Sequence, residues 1–306
     1  MITWIAEIGS NHNRSLERTI DLIDKAAEIG CNGVKLQLFK ARLLYTPEFK
    51  DRIASMEKWE LPESFLTTIK NACRWNGLEF GCSVFDLQSV KIAKGFVDWL
   101  KIGSYEMLWF PLLKAVIETK IPWIFSTGMT TNINEVLVPV AMGIHKRNPP
   151  HAVLHCNSNY PALLWQCNLS QIKRIKRFIG MAEAAGHKSL HKPIKVGWSD
   201  HTRNPELVLA AIRQGASVVE FHFDLEDGKG VESKFRHCWK PSEAKALIER
   251  SKTLSDDSYP DGWILYPDEW VHSNTREEEV SKWRTDPEDG LRPLKRYRKE
   301  LLEKGT

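Results

Sequence analysis

The sequence of 306 residues lacks most features that mark a chain as something other than an ordinary globular protein. Its six cysteines form no CxxC pair, which argues against a disulfide framework and a structural zinc site. No apolar run approaches the ~20 residues of a membrane span, and no secretory signal is visible. A formal net charge of +4 is small for this length, so no nucleic-acid partner is expected. We expect a reduced, cytoplasmic protein without membrane association.

Two common active-site motifs are also missing. The first predicted loop, Gly9–Asn13, reads GSNHN and not GxGxxG, which disfavours an open dinucleotide-binding sheet. No GxSxG elbow is present, and Ser199 cannot form a catalytic triad with the adjacent Asp200 and His201. The sequence therefore does not indicate a serine protease.

Short apolar, β-branched runs alternate with segments of helical period along most of the chain. This alternation predicts parallel strands joined by crossover helices. The predicted strands are Ile2–Glu7, Gly33–Gln37, Glu79–Ser83, Asp98–Ile102, Pro122–Ser126, Ala152–Cys156, Ile194–Trp198 and Ser217–Phe221. The predicted helices are Leu16–Ile29, Pro62–Trp75, Leu87–Lys94, Phe110–Thr119, Ile133–Met142, Leu169–Ile179, Pro205–Gln214 and Pro241–Ser251. Eight such units predict an α/β fold, a (β/α)₈ TIM barrel over residues 1–255.

The composition changes after the eighth unit. Residues 256–306 are rich in proline, tryptophan and charge. We expect a short C-terminal extension that packs on the barrel and ends in a helix near Pro293–Leu302.

Two lysines stand inside the apolar second and fourth strands. Lys35 shares one strand face with Gln37, and Lys101 lies near the end of the fourth strand. A buried, unpaired ammonium group is costly, so both lysines need anionic partners. Glu7 or Glu106 could be the partner, and so could a ligand phosphate or carboxylate. Hydroxyl groups lie at the ends of nearby strands, at Ser83, Ser104, Ser126 and Ser199. We favour an anionic ligand.

His201 and His222 are the candidate metal ligands. They follow neighbouring strands, so their rings can converge on one point, and the strand of Glu7 closes the barrel beside them. Two imidazoles with carboxylate and water suit a divalent transition ion. A hydrogen-bonded structural role is the alternative for each histidine.

Several segments together resemble the successive motifs of the sialic acid synthase family, which includes the N-acetylneuraminate, legionaminate and pseudaminate synthases. These segments are Ile5–Asn13, Val34–Gln37, Lys101–Glu106, Ser126–Met129, His155–Pro161, Gly197–Thr202 and Glu220–Phe223. The resemblance implies a transferase that condenses phosphoenolpyruvate with an open-chain, N-acetylmannosamine-like sugar. The products would be a nonulosonic acid and phosphate. Because dimers are common for barrels of this kind, we also expect a homodimer.

The resemblance implies a role for each matching residue. His201 and His222 would hold Mn²⁺, or another divalent cation such as Mg²⁺ or Co²⁺, and Glu7 would position or deprotonate the attacking water. These three residues form the expected catalytic set. The expected phosphoenolpyruvate ligands are Lys35, Ser83, Lys101, Ser104, Ser126, Ser158 and Ser199. The expected sugar ligands are Gln37, Glu106, Tyr160 and Glu232.

The sequence departs from the family pattern in two places. Family members usually carry a C-terminal antifreeze-like domain, which is not expected here. Glu232 stands near the position where the family usually has a sugar-binding aspartate, and the unusual His237–Trp239 (HCW) follows. His237 could be a further contact to the sugar or a structural residue.

Other functions remain open at this level. One is a 3-deoxy-ulosonate-phosphate synthase, or a metal-dependent aldolase acting on another sugar. A phosphorylated acceptor would need an extra basic cluster, which only Arg203, Lys229, Lys234 and Arg236 could provide. Another is a barrel without catalytic activity that binds sugar phosphates.

Overall fold

The computed structural model describes residues 1–186, 193–254, 283–286 and 289–292. Within these ranges, parallel strands follow one another around a closed barrel, and the last strand pairs with the first. The strands are β1 (Thr3–Gly9), β2 (Gly33–Leu38), β3 (Glu79–Val84), β4 (Trp99–Ile102), β5 (Trp123–Ser126), β6 (Ala152–Cys156), β7 (Lys195–Asp200) and β8 (Val218–His222). The predicted (β/α)₈ barrel is confirmed.

Helices surround this barrel. They are α1 (Leu16–Glu28), α2 (Ala41–Leu44), α3 (Lys50–Glu57), α4 (Leu66–Trp75), α5 (Leu87–Ala93), α6 (Phe110–Glu118), α7 (Ile133–His145), α8 (Ser170–Gly186), α9 (Pro205–Arg213) and α10 (Pro241–Lys252). The sequence did not predict α2 and α3, because α2 has only four residues and α3 buries none of its side chains. None of the described helices has the length and apolar character to cross a bilayer.

Side-chain caps fix the starts of several helices close to the strand ends. Ser15 accepts a hydrogen bond from the backbone N–H of Arg18 (3.2 Å) at the start of α1. Asn204 accepts one from the N–H of Leu207 (3.1 Å) and caps α9, three residues after His201. Such caps satisfy backbone donors that the helix leaves free. They therefore help to hold the loops at the carboxyl ends of the strands.

A buried apolar layer fills the interior of the barrel. It consists of Ile5, Trp99, Ile124, Ala152, Leu154 and Val218. Side chains two positions apart on a strand point to the same face. The residues two positions after Ile5, Trp99 and Val218 are Glu7, Lys101 and Glu220. The strand period therefore places these charged groups inside the barrel, one layer nearer the carboxyl end.

The strand register brings predicted site residues side by side. Glu7 is opposite Lys35 on β2 and His222 on β8. The predicted ends of β1, β7 and β8 were too early, because these strands continue to Gly9, Asp200 and His222. His222 is consequently the last residue of a strand.

Two described pieces of the C-terminal region lie against the barrel. The backbone N–H of Thr285 donates to the carbonyl of Tyr105 (2.9 Å), and that of Arg292 donates to the carbonyl of Leu44 (3.0 Å). The boundary at residues 255 and 256 stays a prediction. The helix expected near Pro293–Leu302 lies outside the described residues.

Candidate active site

A cavity of about 420 Å³ lies at the carboxyl ends of the strands, and all eight strands contribute to its wall. Of the predicted site residues, it is lined by Glu7, Lys35, Gln37, Ser83, Lys101, Ser104, Ser126, Ser158, Tyr160, Ser199, His201, His222 and Glu232. Glu106 is the one predicted site residue that does not line it. Residues from distant parts of the sequence thus meet in one space large enough for small substrates.

Buried ion pairs form the floor of the cavity. The ammonium group of Lys35 contacts the carboxylate of Glu7, and that of Lys101 contacts Glu220. The Nζ of Lys35 also lies 3.9 Å from Oε2 of Glu220, so the two pairs are adjacent. Each of these four residues is at most 5% exposed. The lysines therefore have protein partners, and the partner of Lys101 is Glu220 where the sequence had suggested Glu7 or Glu106.

Neighbouring polar groups fix the geometry of this floor. Lys35 donates to the hydroxyl of Ser83 (2.8 Å), and Ser199 donates to Glu220 (2.9 Å). Burial acts to raise the pKa of Glu220, but the ammonium groups of Lys101 and Lys35 outweigh it and lower the pKa to about 2. Glu220 is therefore a carboxylate at neutral pH.

Hydroxyl groups line one side of the cavity above the lysines. The hydroxyl of Ser104 accepts a hydrogen bond from the backbone N–H of Gly128 (3.0 Å). A Cβ at Gly128 would lie 2.3 Å from Oγ of Ser158, so a larger residue would fill this side. The buried hydroxyl of Ser126 has no hydrogen-bond partner among the described residues. A free donor beside two ammonium groups suits the oxygen atoms of an anionic ligand.

The predicted metal ligands line the cavity at the ends of β7 and β8, with ring centroids 5.3 Å apart. His201 Nδ1 is hydrogen-bonded to the carbonyl of Asn157, and His222 Nδ1 lies 2.7 Å from Oε2 of Glu232. Both partners accept hydrogen bonds, so each Nδ1 is the protonated nitrogen and each Nε2 keeps its lone pair. This carboxylate or carbonyl support is typical of histidines that bind metals.

Burial keeps these imidazoles neutral. It lowers the pKa of His201 well below 6.5, with the nearby His222 acting in the same direction. It lowers the pKa of His222 to about 3, and Lys35 contributes. Neutral imidazoles with free Nε2 atoms are competent ligands, so the residues present fit a divalent metal ion.

The buried histidines predict a pH dependence of stability. Burial also lowers the pKa of His12 to about 4 and that of His237 to about 3. Below pH ~6.5 the unfolded chain binds protons at these sites and the folded chain does not, so stability falls as pH decreases from ~6.5 towards 3. Each histidine can contribute up to ~1.4 kcal/mol per pH unit. We expect the urea midpoint of the metal-free protein to drop between pH 7.5 and 5.5, with a shallower drop in His237→Gln. An unchanged midpoint would contradict the neutral assignment.

Glu106 faces the C-terminal segment and not the cavity. Its Oε1 accepts from Nη2 of Arg292 (2.8 Å), and the guanidinium lies 4.3 Å from the ring centroid of Tyr105. Thr285 adds a hydroxyl contact to the same oxygen (3.3 Å). Glu106 was expected to meet the sugar. In the structure it anchors Arg292, which lines the cavity in its place.

This pairing gives a testable expectation for the C-terminal segment. Glu106→Gln would leave the guanidinium of Arg292 without a counter-charge, and breaking a buried pair costs about 3 kcal/mol. Hydrogen exchange at the backbone amides of Thr285 and Arg292 should therefore accelerate about a hundredfold. Glu118→Gln, which alters a surface pair with Lys114, is the matched control. Unchanged exchange in Glu106→Gln would show that the pair does not hold this segment.

Several other lining residues were not predicted from the sequence. Most are aromatic or basic groups from loops: Tyr45, Arg52, Trp59, Phe85, Tyr105, Phe235, Trp283 and Arg292. His237, considered as a further sugar contact or a structural residue, also lines the cavity. Glu220 had a detectable signal, because it lies two positions before His222 in an apolar strand and so shares its face. The loop residues carry no comparable pattern.

A closed eight-stranded barrel with a polar cavity at the carboxyl ends of its strands has the architecture of the barrel enzymes. The sequence profile of the NeuB family matches residues 22–257, and the chain belongs to this family of sialic acid synthases.

Individual relatives agree with this assignment. The chain is 31% identical over 258 residues to the spore coat polysaccharide biosynthesis protein SpsE of Bacillus subtilis, covering 80% of this chain and 65% of that protein. It is 32% identical over 268 residues to N,N'-diacetyllegionaminic acid synthase of Campylobacter jejuni, covering 82% of this chain and 75% of that protein. The chain thus spans less than two thirds of the length of SpsE.

The fold is also that of a solved structure. The N-acetylneuraminic acid synthetase from Leptospira borgpetersenii superposes with a TM-score of 0.72 at 21% identity, covering 100% of this chain and 92% of that one. At this identity the likeness concerns the fold alone.

Proposed function

We propose that this protein condenses phosphoenolpyruvate with the aldehyde of an open-chain, N-acetylated amino sugar, giving a nonulosonic acid and phosphate. The observation that carries the proposal is the composition of the cavity. The wall of the cavity presents Lys35, Lys101 and Ser126 from β2, β4 and β5, and two neutral imidazoles at the ends of β7 and β8. The hydroxyl of Ser126 has no partner among the described residues. An anion and an aldehyde held by the imidazole pair and its ion would therefore meet in one cavity. The names of the relatives, among them a legionaminic acid synthase, support the same reaction.

The anion half would hold phosphoenolpyruvate. Lys35 and Lys101 would offset the charge of its phosphate and carboxylate, which repel each other. Serine hydroxyls would donate to the remaining oxygens, with Ser126 the freest of them among the described residues. The contacts with Glu7 and Glu220 hold both lysine side chains in place before the substrate enters. This preorganisation reduces the cost of binding an anion.

The imidazole half would hold Mn²⁺, or another divalent cation such as Mg²⁺ or Co²⁺, through His201 and His222. When bound, such an ion supplies Lewis acidity that makes the aldehyde carbon electrophilic. Glu232 keeps His222 in the tautomer that offers Nε2. These residues thus define where the aldehyde lies.

The reaction needs one new C–C bond, one water and one leaving group. C3 of phosphoenolpyruvate attacks the aldehyde carbon, and the aldehyde oxygen takes up one proton to become a hydroxyl. Water adds at C2 and gives one proton to a base, which balances the proton taken up by the aldehyde oxygen. The C2–O bond to phosphate then breaks as C2 becomes a keto group, and the proton of the C2 hydroxyl leaves with the phosphate. Glu7 would serve as this base, because its position on β1 is opposite Lys35 on β2 and His222 on β8. Holding both substrates in this arrangement supplies further acceleration.

The sugar would be met by Gln37, Tyr160 and Glu232, which line the cavity. Tyr160 packs over His201 with ring centroids 4.0 Å apart, next to the proposed aldehyde position. Gln37 donates to Glu7 (3.0 Å) and so links the sugar side to the water side. The expected homodimer remains a prediction.

A phosphorylated acceptor is less well supported. None of the four basic residues that could bind its phosphate lines the cavity; these are Arg203, Lys229, Lys234 and Arg236. Arg203 is paired with Glu243, and Lys234 lies over the ring of Trp59 at 4.9 Å. These four residues therefore offer no phosphate site in the cavity, where the basic loop residues are Arg52 and Arg292, the latter paired with Glu106.

Phosphate release from phosphoenolpyruvate separates the alternatives. The protein is supplied with Mn²⁺ and a panel of aldoses. Release with N-acetylmannosamine-type sugars supports the proposal, and release only with phosphosugars supports the phosphosugar synthase. No release with any aldose would leave a barrel without this activity.

A further inference from the structure

A second group of metal-binding side chains adjoins the imidazole pair. His222, Glu232, His237 and Cys238 each offer one ligand atom, and these atoms all lie within 4.8 Å of one another. All four residues are buried. We refer to them as the mixed-ligand cluster. Only His222 belongs to the pair expected from the sequence.

The loop after β1 makes hydrogen bonds to two members of the mixed-ligand cluster, Glu232 and Cys238. The backbone N–H of Ser10 donates to Oε1 of Glu232 (2.7 Å), which leaves Oε2 for the histidines. The side chain of Asn11 accepts from the N–H of Glu232 (2.8 Å) and donates to Sγ of Cys238 (3.4 Å). Outer contacts of this kind orient metal ligands and tune their affinity.

Gly9 makes room for the carboxylate. Its φ is +54°, and a Cβ there would lie 2.4 Å from Oε1 of Glu232. The backbone of β1 therefore allows Glu232 to approach so closely only because residue 9 is glycine.

The charges of the floor leave Glu232 without a cationic partner of its own. Lys35 and Lys101 contact Glu7 and Glu220. The ion-pair contacts of Glu232 among the described residues are with the rings of His222 (2.7 Å) and His237 (4.0 Å), and no lysine or arginine among those residues pairs with it. A buried carboxylate without a counter-charge is unfavourable. A bound cation removes this imbalance.

We propose that the mixed-ligand cluster binds a thiophilic divalent transition ion, of the Zn²⁺ or Co²⁺ type, in preference to Mg²⁺ or Mn²⁺. Thiolate and imidazole ligands favour such ions, whereas carboxylate and water favour Mg²⁺ and Mn²⁺. In this cluster His222 would bind through Nδ1, which lies 2.7 Å from Oε2 of Glu232, and its proton would pass to Nε2 as the ion displaces that hydrogen bond. With His237, Glu232 and Cys238 it supplies the four donors that Zn²⁺ takes in its tetrahedral sites. The inference goes beyond the proposed function, because this ion would use Nδ1 of His222, where the ion of the proposed reaction would use Nε2. Binding at the mixed-ligand cluster does not depend on that reaction.

Metal binding at the mixed-ligand cluster releases the thiol proton of Cys238. Burial raises the pKa of the Cys238 thiol to about 12, so the thiol is protonated before the ion arrives. The S–H bond breaks as the metal–sulfur bond forms, and the proton is released to solvent.

Cobalt spectroscopy without substrates tests the inference. Metal-free protein titrated with Co²⁺ should show a thiolate-to-cobalt charge-transfer band in the near ultraviolet, and Zn²⁺ should bind more tightly than Mn²⁺. Cys238→Ser should abolish the band. His237→Gln should lower Zn²⁺ affinity at least about tenfold. Cys73→Ser, at a buried cysteine on α4, is the matched control and should keep both properties.

Two results would overturn the inference. One is the absence, in the wild-type protein, of both the charge-transfer band and a preference for Zn²⁺ over Mn²⁺. This result is obtained without a variant, so it does not depend on whether a variant folds. The other is a band that persists in Cys238→Ser. Neither depends on phosphate release. A protein with the band but no release with any aldose would retain the metal site and lose the proposed reaction, and release without the band would do the reverse.

Discussion

Replacing Lys101 with alanine is expected to lower kcat/KM for phosphoenolpyruvate about a hundredfold to a thousandfold. Lys101 contacts Glu220 on the floor of the cavity, where both are at most 5% exposed. Its removal takes away one group that would bind the substrate anion, which costs about 2.7–4 kcal/mol in the transition state, and leaves Glu220 with the more distant Lys35 at 3.9 Å. Each 1.4 kcal/mol lost in the transition state is about a tenfold loss of rate. Steady-state kinetics with varied phosphoenolpyruvate measures the effect.

A second variant separates lost binding from lost folding. Lys101→Met combined with Glu220→Gln removes both charges, and it should recover much of the denaturation midpoint that Lys101→Ala loses. Use of phosphoenolpyruvate should stay impaired in the double variant. Lys114→Ala, at an exposed position on α6, should leave kinetics and stability unchanged. A normal apparent affinity for phosphoenolpyruvate in Lys101→Ala would refute the anion site.

His201→Ala and His222→Ala are each expected to lower bound metal and to reduce phosphate release by a thousandfold or more. Both imidazoles are neutral and present Nε2 to the cavity, and their rings lie 5.3 Å apart. Losing one of few ligands weakens a site by several kcal/mol, which is about a thousandfold in affinity. Metal content after dialysis and single-turnover phosphate release give the two readouts.

The two histidine variants also distinguish metal bound by the His201–His222 pair from metal bound by the mixed-ligand cluster. His222 belongs to both groups, so His222→Ala should reduce metal content more than His201→Ala. His145→Ala, at an exposed position at the end of α7, is the control. Unchanged metal content in both active-site variants would refute the ligand assignment.

The barrel could be predicted from the sequence because its causes are local. Strand and helix periods alternate eight times, and a parallel strand order follows once crossover helices join the strands. Lys35 and Lys101 were recognisable for the same reason, since charge inside an apolar strand needs an explanation. Glu220 obeyed this rule too, with Val218 and Val219 before it and Phe221 after it. It could have been predicted as the partner of Lys101.

The remaining parts of the site depend on tertiary contacts, which the strand and helix periodicity of the sequence does not indicate. Glu106 and Arg292 are separated by 186 positions, and only the packing of the C-terminal segment brings them together. Their pairing is the reason that Glu106 turns away from the expected sugar position. His237 and Cys238 belong to the loop after β8, where the approach to Glu232 depends on the conformation at Gly9. Loop geometry of this kind follows from the tertiary structure.

Mass spectrometry of the reaction product tests most directly whether the cavity joins two substrates. Phosphoenolpyruvate and N-acetylmannosamine are incubated with the protein and a divalent transition ion. We predict a product with the mass of the sugar plus one pyruvate unit, and one phosphate released for each molecule formed. Recovery of the unchanged sugar, with phosphoenolpyruvate either intact or hydrolysed to pyruvate, would contradict the account.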